Sequence, residues 1–267
     1  MDWTSNDLAS YNIEVHRQSA EEFFGYTPDT LPSTIEPGFL IHTFSQHTQP
    51  FSVLSPLENE TIDSNYPLLP YLDLASQPGD DQEPAIGDFM LCLMRTLEFQ
   101  EQGNIVRIRA PLSFALHGEN EDSVLIDLCL IQLNTTILII VEESLPVVDI
   151  DNPEARVIAK AIAAFQYNNR IRQNKGFDPL DSMTFPAIVT IGTVPVFYKI
   201  PVTRQLENAV ANDTYPTNKT EVLKCMVELP SHSLEEGMDV PEFRREILRN
   251  YEAFRRLSKK YWQCFAI

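Results

Sequence analysis

Glycine is scarce in this chain, nine among 267 residues, and none falls in a GxGxxG, Walker A or GxSxG pattern. Dinucleotide-binding, P-loop and nucleophile-elbow enzymes are therefore left without a signal. The five histidines (His16, His42, His47, His117 and His232) form no HxxxH or HExxH pair, so a zinc hydrolase has no support. The four cysteines are far apart with no CxxC, and three sit in apolar segments, which predicts buried free thiols. No apolar run approaches the roughly 18 residues of a membrane span. The opening MDWTSNDLASYNIEVHRQ has neither the basic nor the apolar region of a secretory signal. These absences predict an intracellular chain, cytoplasmic or nuclear, with no membrane partner.

Basic residues are also few, 20 Lys and Arg against 38 Asp and Glu, a net charge of −18. Residues 1–100 hold 16 acids and two bases, a local −14, leaving 22 acids and 18 bases for the remainder. An acidic chain repels nucleic acid at long range, so any contact with it would need a locally basic surface. One such stretch is 241–267, where seven bases face three acids.

The order of elements is legible from residue 84 onward. Residues 1–83 are acidic and rich in Pro, Ser, Thr and Asn, without periodicity, which predicts an irregular segment, partly disordered or docked on the core through clusters such as Phe23-Phe24. PAIGDFMLCLMRTLEFQE (84–101) places Phe89, Leu93, Met94 and Leu97 at helical spacing. NIVRIRAPLSFAL (104–116) alternates as a strand, and GENED (118–122) reads as a turn. Two apolar strands follow, roughly 123–133 and 136–144.

PEARVIAKAIAAFQYNNRIRQ (153–173) is the clearest helix, with Ala155, Ile158, Ala159, Ile162, Ala163 and Gln166 on one face. Strands at 184–203 and 220–229, a short helix at 202–213 and a long basic-faced helix at 241–262 complete the chain. The expected fold is α/β (α+β), a mixed sheet flanked by helices over residues 84–267.

The chemistry concentrates in IDLCLIQLNTTILIIVEESLP (126–146). A two-residue turn at Asn134-Thr135 makes opposed residues sum to 269 and sets Asp127 across from Glu142; a longer turn would oppose Asp127 to Glu143. Opposed carboxylates in an apolar sheet are destabilising unless one keeps its proton or a cation lies between them. Helix, three-stranded meander with this Asp and Glu, helix, strand resembles the PD-(D/E)XK nuclease-like superfamily. PEARVIAKAIAAFQYNNR and GTVPVFYKIPVT look like its members in fungal proteins.

The resemblance implies that Asp127 and Glu142 bind Mg²⁺ or Mn²⁺, with Glu98 on the preceding helix as an additional acid and Gln166 reaching in from the crossover helix. The family's lysine position is Ser144 here. A hydroxyl cannot supply that cation's electrostatic role, so the implied function is a degenerate site serving binding or assembly. The alternative is an active metal-dependent nuclease that takes its lysine from the helix as Lys160. Lys160 flanks the apolar stripe, where a solvated lysine is the plainer expectation. Arg170, Arg172 and Lys175 at the helix end are candidate phosphate contacts. The acidic N-terminal segment and the final helix are candidate surfaces for a protein partner.

Overall fold

Runs rich in Val, Ile, Phe and Tyr make strands because branched and aromatic side chains fit a pleated, packed surface. Here they build one sheet. A computed structural model describes residues 3–43, 68–77, 82–101, 103–116, 119–132, 136–144, 151–228 and 237–262. The strands are β1 (Ile13–Gln18), β2 (Asn104–Leu116), β3 (Glu119–Gln132), β4 (Thr136–Ser144), β5 (Ser182–Ile191), β6 (Val194–Thr203) and β7 (Thr220–Met226). They lie in the order β1-β7-β6-β5-β4-β3-β2. The β1/β7 and β4/β5 pairs are parallel and the rest antiparallel, so the sheet is mixed. Among the described residues no helix is long and apolar enough to cross a membrane.

A parallel pair needs a crossover, and α6 (Asp151–Asn174) supplies it between β4 and β5. Pro153 sits in its first turn, where a missing N–H costs nothing. Gly176 ends it at φ 81, with the Phe177 N–H donating to the Arg172 carbonyl at 3.0 Å. The opposite sheet face carries α8 (Pro241–Trp262), whose Tyr251 and Phe254 rings pack on Phe197 with centroids 5.3 and 4.8 Å away. The helix before the meander, α5 (Gln82–Thr96), buries Ile86, Phe89, Met90, Leu93 and Met94, as its spacing predicts.

The N-terminal segment departs from the irregular texture read in its composition. It contributes β1, α1 (Ser5–Ser10), α2 (Ala20–Phe24) and α3 (Pro37–Ile41). Trp3, Leu8, Tyr11, Phe23, Phe24 and Phe39 are buried in the common core. Local capping organises it: Ser19 and Glu22 form a capping box at the start of α2. Its α1 packs on α6, and α2 and α3 pack on α8. The chain also forms α4 (Leu68–Ser76) and α7 (Arg204–Ala211). The turn expected at 118–122 is strand from Glu119 onward, and residues 44–67 lie outside the described chain.

The basic face of α8 is largely consumed within the molecule. Arg255 and Arg256 bind Glu252, Arg249 binds Glu246 and Lys259 binds Glu101. Arg244 is fully buried, donating to the carbonyls of Met238 at 2.5 Å, Asp239 at 3.2 Å and Phe39, and lying 4.9 Å over the Phe39 ring. These contacts engage Arg244, Arg249, Arg255, Arg256 and Lys259 within the chain itself. Cys129 and Cys225 are buried thiols, pushed up to about 12 and about 11 by burial.

Candidate functional site

Two strands and one helix deliver the charged groups. The β3/β4 register sums to 268 at Ile131↔Ile137 and to 269 at Leu128↔Val141, because Leu138 is an extra residue on β4. That one-residue bulge places Glu142 opposite Asp127 in the continuing register, although the spacing near the turn alone would not. Both acids lie on the sheet face covered by α6, near the carboxyl ends of the parallel pair β4/β5. Thr190 on β5 donates its hydroxyl to the Glu142 carbonyl at 3.4 Å.

The helix answers the acids with two cations four residues apart, on one face and one turn from each other. Lys160 Nζ donates to Asp127 Oδ2 at 2.9 Å and to Glu142 Oε2. Arg156 Nε donates to Glu142 Oε1 at 2.6 Å. Each Glu142 oxygen thus has its own cation. Side-chain exposure is 3% for Glu142, 7% for Lys160, 30% for Asp127 and 31% for Arg156, so the site opens on the Asp127 side. The like-charge conflict expected between the acids is resolved by an ammonium placed between them.

Burial pushes the Glu142 carboxyl above its usual range, against the pull of Lys160, with Asp127 adding to the rise and Arg156 opposing it. Burial also works against the Lys160 ammonium, but Glu142 and Asp127 outweigh it and hold its pKa above the ordinary lysine value. The ammonium is the stable form of Lys160 here.

Lys160 is buried, contrary to the solvated lysine expected beside a stripe. The reason is that α6 is buried on nearly every side: Ala155, Val157, Ile158, Ala159, Ala161, Ile162, Ala163, Ala164 and Phe165 are all 0% exposed. The stripe continues around the helix, covered by the sheet and by α1, α7 and β2. Arg156 was missed by sequence reasoning. Its signal is a second cation four residues before Lys160 in an otherwise apolar helix segment.

The remaining candidates stand apart. Glu98 is exposed and lies beyond the end of α5, in the left-handed region at φ 55, rather than on the helix as expected. Among the described residues no group of three or more His, Cys, Asp or Glu is placed to hold a metal ion, so Glu98 does not complete an acid trio. Gln166 is half-buried, six residues and about 9 Å along the α6 axis from Lys160. It lies toward the end where Asn168 accepts from the Ile137 N–H at 2.8 Å and donates to its carbonyl at 3.0 Å.

Arg170, Arg172 and Lys175 follow on, about 15 Å or more along the axis from Lys160. Arg172 donates to the Asp178 carbonyl at 3.0 Å, and Arg170 lies over the Tyr167 ring at 5.8 Å. They cap a helix end, away from the site. Ser144 pairs with Ile191 in the backbone ladder, and its side chain and that of Glu143 lie outside the described set.

A second polar group sits on the first turns of α6, where Glu154 Oε2 accepts from Tyr198 at 3.0 Å and from Lys224 at 2.7 Å. It ties α6 to β6 and β7 and leaves Arg156 and Lys160 for β3 and β4.

No family model matches the chain, and no curated protein matches it.

Proposed function

We propose that this chain is a metal-dependent phosphodiesterase acting on nucleic acid, of PD-(D/E)XK nuclease-like type, whose lysine comes from the crossover helix. The observation that carries this reading is the Lys160 ammonium, which donates to both Asp127 and Glu142. The position of the missing strand lysine is thereby answered from α6, and the acids, opposed across two strands, converge on one cation.

The donor set suits a hard divalent ion. Both carboxylates lie within reach of a single cation, since one ammonium already bridges them, and Mg²⁺ or Mn²⁺ takes one or two carboxylates plus water and phosphate oxygens. Asp127 and Glu142 would hold it, and when bound it supplies Lewis-acid polarisation of the phosphoryl group and acidifies a water. Lys160 carries its positive charge into a site of low dielectric, where it stabilises negative charge gathering on the phosphate oxygens. Arg156 fixes the Glu142 carboxylate through Oε1 and favours its ionised form against burial. The partial exposure of Asp127 gives substrate its approach.

A second reading, a degenerate site serving binding or assembly, is favoured by Arg156. Two cations against two carboxylates leave the four-residue group neutral, which weakens its draw on a divalent ion.

Calorimetric titration of Mn²⁺ into the wild type, Asp127→Ala and Glu142→Ala separates the readings. Binding that either substitution abolishes, with DNA or RNA cleavage lost in Lys160→Ala, is the expected result. Absence of Mn²⁺ binding to the wild type would overturn the enzyme reading, and binding without cleavage of either nucleic acid would favour the second.

A further inference from the structure

The strand beside Asp127 carries two arginines that form no ion pair among the described residues. β2 is one of the two edge strands, and Ile105, Arg107, Ile108 and Arg109 on it are exposed while Asn104, Val106 and Ala110 are buried. Arg107 pairs with Cys129, two positions from Asp127 and so on its face of the sheet. The pairs Ile108↔Leu128 and Ala110↔Ile126 flank the next position, so Arg109 falls in register opposite Asp127. Leu125, the other neighbour of Asp127 on that face, is 46% exposed.

Two further facts set these arginines apart. Whereas four cations of α8 are paired with acids, neither Arg107 nor Arg109 has an ion-pair partner among the described residues. In a chain of net charge −18, two guanidinium groups with no ion-pair partner among the described residues, beside the candidate site, point to an anion that completes them. Arg109 also holds φ at 47, a left-handed conformation that residues with a Cβ avoid, directly next to Asp127.

We propose that Arg107 and Arg109 anchor the phosphate backbone of a nucleic-acid strand along β2, beside Asp127. The inference rests on the nucleic-acid reading of the Asp127–Glu142–Lys160 site and assigns that site its substrate track. Guanidinium groups recognise phosphate through paired N–H donors, and such contacts set register without reading sequence. The exposed Ile105 and Leu125 offer apolar surface next to the track. Charge complementarity selects the occupant: the local cations suit a polyanion, and the acidic remainder of the surface repels it elsewhere.

The test is fluorescence anisotropy of a short labelled DNA, single-stranded and duplex, and of the matching RNA, all in EDTA so that no metal is needed. Arg107→Gln/Arg109→Gln is expected to weaken binding at least about tenfold and to lower the salt-dependence slope by about two. Arg170→Gln/Lys175→Gln, at the far end of α6, is expected to stay within about twofold of the wild type. Arg109→Gly relieves the left-handed backbone, so it should melt about 2–4 °C higher and still bind as weakly as Arg109→Gln.

Unchanged affinity in the double variant, equal loss in the distant pair, or full affinity in Arg109→Gly would each overturn the proposal. So would self-association in sedimentation that the double variant abolishes, which would assign the strip to a second copy of the chain. Failure of the enzyme reading is seen separately: oligonucleotide binding then persists in EDTA while Mn²⁺ titration shows no uptake. Conversely, Mn²⁺ uptake and cleavage with an unaltered KM in the double variant would sink the track alone.

Discussion

Lys160 and Glu142 are mutually buried partners, each less than a tenth exposed, and the ammonium reaches on from Glu142 to Asp127. Such a pair is sustained only while both members are present, because either charge alone would lie uncompensated in a medium that solvates it poorly. Removing the cation is therefore the most informative single change.

Lys160→Met is expected to cost about 3–5 kcal/mol of stability near neutral pH, the range for breaking a buried ion pair. The cost should itself depend on pH. Burial already raises Glu142 above its ordinary 4.5, and loss of the Lys160 attraction raises it further. A carboxyl whose folded pKa exceeds its unfolded value supports the fold fully below the unfolded pKa and loses that support as pH rises through the folded one. The difference between variant and wild type should accordingly be small near pH 4.5 and grow as the pH rises above it. Urea denaturation across that range measures it, and a penalty independent of pH would contradict the assignment.

The two acids should not behave alike. Glu142 is nearly inaccessible and satisfies two cations, while Asp127 is 30% exposed. Glu142→Gln should destabilise by about 2–4 kcal/mol and Asp127→Asn by about 1 kcal/mol, since water screens the second loss and not the first. Equal effects on the urea midpoint would indicate that Lys160 depends on both partners equally.

Much of this arrangement was legible before the structure because it follows from local pattern. The period of α6, the alternation of β2 and the paired apolar runs on either side of Asn134 set the element order and brought Asp127 and Glu142 onto neighbouring strands. The bulge at Leu138 was not legible, since the run Ile137-Leu138-Ile139-Ile140 is apolar throughout and gives no sign of which residue is extra. Nor was the burial of Lys160, because a stripe model assigns one buried face to a helix that is covered on nearly every side. A better cue was at hand: apart from Arg156 one turn before it, Lys160 has only apolar neighbours on the helix, so its charge must find an acid. The N-terminal elements were hidden for a different reason, as β1 and α1 are short and held by tertiary contacts with β7 and α6 rather than by periodicity.

Arg244 joins the N-terminal segment to the start of α8 through hydrogen bonds and its stacking over the Phe39 ring. It lies at the start of α8, fully buried, and its donors satisfy the carbonyls of Phe39, Met238 and Asp239. Burial lowers its pKa to about 10, which still leaves it charged at neutral pH. Arg244→Met keeps the volume and strips the donors, at an expected cost of about 2–4 kcal/mol in thermal or urea denaturation. A smaller effect would mean that water replaces the guanidinium.

Arg156 decides between the two functional readings, because it takes one Glu142 oxygen and one unit of charge. Arg156→Met should raise Mn²⁺ affinity about tenfold, since a nearby like charge is removed from the cation's surroundings. Calorimetry on the variant checks this. Unchanged affinity would show that the acids hold metal without competition from Arg156, or hold none.

The lysine itself can be moved. Position 144 lies two residues beyond Glu142 on β4, about 6.6 Å along the strand, and is where a PD-(D/E)XK pattern would carry its cation. If Lys160 supplies that cation from α6, Ser144→Lys alone gains nothing, because the role is already filled and a second ammonium opposes the first. In the Lys160→Met background the same substitution should recover part of the lost cleavage, about tenfold or more over the single variant in a metal-supplemented nuclease assay. Gain of activity from Ser144→Lys in the wild-type background would reverse the argument, showing that the ammonium between Asp127 and Glu142 closes the site and that the lack of a cation at 144 is what silences it.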